Sequence, residues 1–83
     1  MAIAHVKAYD EFVEFITSSP SLEALANFRL SAESEARFSL LLEANRAGTL
    51  TSAEEAELDE LIRLEHLMRK AKIRAFEKRA AHP

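Results

Sequence analysis

Cysteine is absent from the 83 residues, and with it go disulfide frameworks, thiolate catalysis and every zinc site built on sulfur. Glycine occurs once, at Gly48, so no glycine-rich phosphate loop can be assembled, and with only two prolines there is little to interrupt helices. No apolar run approaches the length that spans a bilayer. Lys7, Asp10, Glu11 and Glu14 fall inside the stretch that would have to be the apolar core of a signal peptide, so a cytoplasmic location is expected. A basic excess is also missing. The net charge of −3 argues against a general affinity for nucleic acid.

What is present points to a single all-α domain over residues 1–83, with no repeat and no linker that would divide it. Apolar residues at 48% and charged residues at 30% suit a folded chain rather than a disordered one. A domain of this size hides only about 60% of the surface its unfolded chain exposes, so a monomer is marginally stable and a partner subunit could supply the missing core.

The elements follow from periodicity and punctuation. From about His5 to Thr17, Val6, Tyr9, Phe12, Val13 and Phe15 or Ile16 recur at helical steps, with Asp10, Glu11 and Glu14 on the solvated side. Ser18-Ser19-Pro20 ends this helix, because proline disfavours helix at the residue before it. A short second helix, Ser21 to about Phe28, presents Leu22, Leu25 and Phe28. Ser31 is a good N-cap for a third helix, Ala32 to about Arg46, with Glu33 and Glu35 in its positive first turn and Phe38, Leu41, Leu42 and Asn45 as its inner stripe. Gly48 sits where a left-handed C-terminal cap belongs, and Thr51-Ser-Ala-Glu54 matches a capping box. Helices three and four thus form a hairpin, with Leu50 free to plug its closed end.

The fourth helix, Ser52 to about Ala80, is the long one, roughly 43 Å at 1.5 Å per residue. At about 100° per residue it carries two apolar stripes. Leu61, Leu64, Met68, Ala71 and Ala75 form one; Leu58, Ile62, Ile73 and Phe76 form the other. Glu65, Arg69 and Lys72 lie between them, in the manner of register-setting charges in a helical dimer. Two stripes need two sets of partners. Leu58, Ile62, Glu65, Arg69, Lys72, Ile73 and Phe76 are therefore the candidate interface, and a homodimer through the long helix is expected.

The charge on this helix is graded. Its start carries Glu54, Glu55, Glu57, Asp59 and Glu60 with no basic residue, whereas from residue 63 onward Arg63, Arg69, Lys70, Lys72, Arg74, Lys78 and Arg79 face only Glu65 and Glu77. Arg63, Lys70, Arg74 and Lys78 share one side and are the candidate contacts for the alternative role, a nucleic-acid-binding regulator. A single stripe of cations near a helix C-terminus is also what the helix dipole favours by itself.

Other chemistry is thinly represented. Glu43, Asn45, Gly48, Leu50 and Glu54 can be laid over a calcium-binding loop, but the first position lacks Asp and Ala47 offers no side-chain oxygen at the fifth. A capped hairpin needs the same Gly, Leu and Glu. Glu65-His66 matches the first half of HExxH, but Arg69 stands where the second His belongs, and His5 and His82 lie near the termini. No nucleophile elbow and no pair of buried carboxylates can be identified. The expectation is a protein that is not an enzyme, with no catalytic residue, no metal and no cofactor. Phe28-Arg29 could anchor a partner, although a core Phe beside a surface Arg is the commoner arrangement.

The run Phe28-Arg-Leu-Ser31, then Leu41-Leu-Glu-Ala-Asn-Arg-Ala-Gly-Thr-Leu-Thr51, Glu54-Glu55, Glu57-Leu58 and Leu64-Glu-His-Leu-Met-Arg69, followed by Lys72 and Arg74-Ala75, resembles a family of small uncharacterised bacterial helical proteins. The similarity covers roughly Tyr9 to Lys78. Members of that family are often encoded beside a small HNH-type nuclease or another toxin-like gene. The resemblance therefore implies a partner-binding or antitoxin-like role and brings no catalytic residue. Where the family tends to have Gly-Pro after its first helix, this chain has Ser19-Pro20, a change expected to matter little beyond the turn.

Overall fold

The computed structural model describes residues 6–81. Among the described residues four helices follow one another: α1 (Lys7–Ile16), α2 (Leu22–Ala26), α3 (Ala32–Ala47) and α4 (Ser52–Ala81). The fold is all-α, as composition and periodicity predict. The His5 start expected for the first helix lies outside the described residues. The second helix is shorter than expected, ending at Ala26, because the Asn27 amide side chain donates back to the Glu23 carbonyl at 2.9 Å and leaves Phe28 to Leu30 as a connection.

Local chemistry sets each boundary. The Ser21 hydroxyl accepts from the Ala24 amide at 3.0 Å and opens α2; the Ser31 hydroxyl accepts from the Ser34 amide at 3.1 Å and opens α3. Gly48 closes α3 at φ 72°, in the left-handed region that glycine enters without strain. The capping box of α4 is reciprocal: the Glu54 amide donates to the Thr51 hydroxyl at 3.1 Å, and the Thr51 amide donates to the Glu54 carboxylate at 2.9 Å. At the end of α1 the Thr17 and Ser18 hydroxyls donate to the Val13 and Phe15 carbonyls. Ser19 then takes φ 56°, the other left-handed residue of the described chain, before Pro20.

α4 is the spine on which α1, α2 and α3 all pack, and it sets the long axis of a 48 × 27 × 21 Å molecule. The core joins Val6, Ala8 and Phe12 to Leu41 of α3 and to Leu58, Leu61 and Leu64 of α4, with Leu50 packed against it at the closed end of the hairpin. Leu41 and Leu64 are wholly buried, each contributing about 1.5–3 kcal/mol through apolar burial. An aromatic group seals the far side: Phe28 stacks on Phe15 with centroids 4.3 Å apart and meets Phe12 edge-on at 5.7 Å.

Several positions differ from the sequence expectation: Val13 and Leu22, expected on apolar faces, are exposed. On α3, Leu42 and Asn45 are exposed rather than inward; Ser34 and Leu41 are buried and Ala44 is half-buried. On α1, Glu11 is not on the solvated face with Glu14. It reaches the start of α3, accepting from the Ser31 amide at 2.7 Å, the Ser31 hydroxyl at 2.8 Å and the Ser34 hydroxyl. A carboxylate placed there meets the positive end of the helix dipole as well as three donors.

Candidate functional site

The last turns of α4 extend past the start of α3, and one of their faces is left bare. α3 begins at Ala32, where the shallow groove beside Glu35 and Phe38 is closed on the other side by Leu61, Glu65, Met68 and Lys72 of α4. This groove, about 510 Å³, runs into a second of about 370 Å³ lined by Glu65, Met68, Arg69, Lys72 and Ile73. Glu65, Met68 and Lys72 line both, so the two form one continuous depression. At its end Ile73 is 55% exposed, and one turn further Phe76 is 66% exposed.

The seven candidate interface residues therefore fall into two groups. Leu58 is 4% exposed and belongs to the core, and Ile62 is half-buried against that core; α3 covers more of the helix than the two-stripe picture allowed. Glu65, Arg69, Lys72, Ile73 and Phe76 sit together at the open end. Arg69 donates to Glu65 at 2.5 Å one turn away, while Lys72 is half-buried and makes no ion pair among the described residues. Ala75, on the opposite side of the same turns, is 2% exposed, so this end of α4 is covered on one face and bare on the other.

Several groove residues were not part of the candidate interface, namely Phe38, Leu30 and Met68. Phe38 and Met68 carry a helical signal that places them on inner stripes; both pack on the core and also border the groove. Leu30 gives no periodic signal because it lies in a connection. Phe28 is held by its ring contacts, and Arg29 pairs with Glu35 at 3.2 Å.

The candidate nucleic-acid contacts are split. Arg63 pairs with Glu60 at 3.1 Å and Arg74 with Glu77 at 3.8 Å, leaving Lys70 and Lys78 exposed without an ion pair among the described residues. Paired arginines on such a stripe are partly neutralised, which weakens its attraction for a phosphate backbone.

A separate cleft of about 350 Å³ lies between the start of α1, α3 and α4. Its charged groups are engaged with each other. Arg37 binds Glu57 through two hydrogen bonds of 2.8 Å, and Lys7 pairs with Glu33 at 2.5 Å. The Arg37 guanidinium holds the Glu57 carboxyl below its ordinary value against the opposing effect of burial. Nearby, burial and the Glu60 carboxylate push the Tyr9 phenol up. Among the described residues, no group of three His, Asp or Glu side chains is placed to hold a metal ion. The residues laid over a calcium loop are taken up by the hairpin: Glu43 lies within α3 and pairs with Arg46 at 3.4 Å, and Glu54 caps α4. His66 is exposed; His5 and His82 lie outside the described residues.

The open end of α4 can bury apolar surface and match charge, which is recognition chemistry. Among the described residues no helix is long and apolar enough to cross a membrane. No protein-family model, curated protein or solved structure matches the chain.

Proposed function

We propose that this chain is a non-catalytic helical interaction module of the cytoplasm that acts as a homodimer through α4 and, as the family resemblance implies, holds a partner protein in an antitoxin-like role. The observation that carries it is the exposure of Ile73 and Phe76 at the end of a groove. Two large apolar side chains one turn apart, each worth about 1.5–3 kcal/mol when buried, are costly to leave in water in a domain with so small a core. Their rim of Arg69 and Lys72 supplies charge for orientation.

Sedimentation equilibrium from low micromolar to millimolar concentration tests the dimer. The wild-type chain is expected to reach twice the monomer mass, and Ile73→Glu with Phe76→Glu to remain monomeric with unchanged helical circular dichroism. A wild-type chain that stays monomeric at millimolar concentration overturns the proposal.

A further inference from the structure

The start of α4 holds two acidic side chains with nothing to answer them. Glu54 caps its own helix, Glu57 binds Arg37 and Glu60 binds Arg63, but Glu55 and Asp59 are exposed and make no ion pair among the described residues. At the other end, Lys72 and Arg79 are equally without an ion pair among the described residues. Counting along the helix, positions 55, 59, 62, 66, 69, 73, 76 and 80 alternate steps of four and three, the spacing of a coiled-coil seam. The seam is acidic at Glu55 and Asp59, apolar at Ile62, polar at His66 and Arg69, and apolar again at Ile73, Phe76 and Ala80.

We infer that a second copy of the chain covers this seam in the antiparallel direction, with Ile62 of each copy facing the partner's Ile73. This rests on the homodimer proposed above and specifies its geometry. In that register Glu55 and Asp59 of one copy lie along the partner's Lys72, Phe76 and Arg79, twice over by symmetry. A parallel pair would instead set Glu55, Asp59 and Arg69 against themselves, and would align the two helix dipoles rather than oppose them. The acidic half of the helix is thus the complement of its basic half, and polar His66 and Arg69 at the centre fix the register.

The absence of cysteine makes this directly testable, because any thiol introduced is unique. In the antiparallel pair, residue 55 of one copy meets the partner's residue 80, while the two residues 55 lie about 38 Å apart. Under mild oxidation Glu55→Cys and Ala80→Cys proteins are each expected to stay uncrosslinked alone and to form a disulfide-linked heterodimer when mixed. Glu55→Lys with Asp59→Lys should weaken self-association about tenfold or more, and adding Lys72→Glu with Arg79→Glu to the same chain should restore it to within about threefold. Self-crosslinking of the Glu55→Cys protein, or no restoration by the fourfold exchange, overturns the antiparallel arrangement while leaving the dimer in place. A wild-type chain that sediments as a monomer overturns both.

Discussion

Arg37 of α3 and Glu57 of α4 meet fork to fork, Nε on Oε2 and Nη on Oε1, each at 2.8 Å. The pair ties the two arms of the hairpin at a fixed register, and the Glu57 side chain is only 20% exposed. A bidentate geometry on a half-shielded carboxylate is stronger than an ordinary surface ion pair. A double-mutant cycle between Arg37→Ala and Glu57→Ala, read by urea denaturation, is expected to show a coupling of about 1 kcal/mol. Arg37→Lys should lose most of it, since an ammonium cannot reproduce the fork.

Glu11 ties α1 to the start of α3 across 20 residues of chain. Burial alone would push its carboxyl up, but the hydrogen bonds from the Ser31 amide and the Ser34 and Ser31 hydroxyls outweigh this and leave it below the ordinary 4.5. Glu57 is also held low. A carboxyl depressed in the folded state stabilises the fold fully above its unfolded value and loses that contribution as pH falls through the folded one. Thermal denaturation should therefore show a falling midpoint below about pH 4.5. Glu11→Gln is expected to cost ~1–2 kcal/mol at pH 7 and to flatten part of that acid dependence.

Ser19 and Gly48 share the left-handed region, at φ 56° and 72°, but respond oppositely to substitution. At Ser19 the side chain carries the cost, about 1 kcal/mol for an L residue in that region, offset in part by the extra unfolded-state freedom of glycine. Ser19→Gly should stabilise the chain by about 0.5 kcal/mol. At Gly48 an added Cβ meets nothing within 4 Å, so the penalty of Gly48→Ala is conformational alone, about 1 kcal/mol destabilising. Differential scanning calorimetry of the two variants reads both signs.

Features decided within a few residues were legible in the sequence. Ser31, Gly48 and the Thr51/Glu54 pair act on backbone groups at most four positions away, and they do what cap chemistry predicts. The inner face of α4, from Leu61 through Ala75, followed from angle alone. Features requiring distant segments were not legible. Nothing near Glu11 announces that it will meet Ser31, and Ser34 is buried because that carboxylate is there to receive its hydroxyl. Leu58 shares an angle with Phe76, yet one is in the core and the other exposed, because α3 lies beside the first turns of α4 and begins too late in the chain to reach the last. Angle alone places the candidate interface on one side of the helix. It does not separate Leu58, which the fold buries, from Ile73 and Phe76, which it leaves bare.

Leu64 and Phe76 are both large apolar residues on one helix, 1% and 66% exposed. Leu64→Ala removes packed methyl groups from the centre of the core and should destabilise the chain by about 3 kcal/mol at any protein concentration. Phe76→Ala removes a side chain that mostly contacts water, so at micromolar dilution its effect should stay within about 0.5 kcal/mol. A dimer stabilises its folded state by mass action, so the wild-type melting temperature should rise with protein concentration. Phe76→Ala should abolish that rise while leaving the dilute value in place, and Leu64→Ala should lower the whole curve. Melting curves recorded over a hundredfold range of concentration separate the two: a concentration-independent wild type would mean that Phe76 is exposed without a copy to cover it.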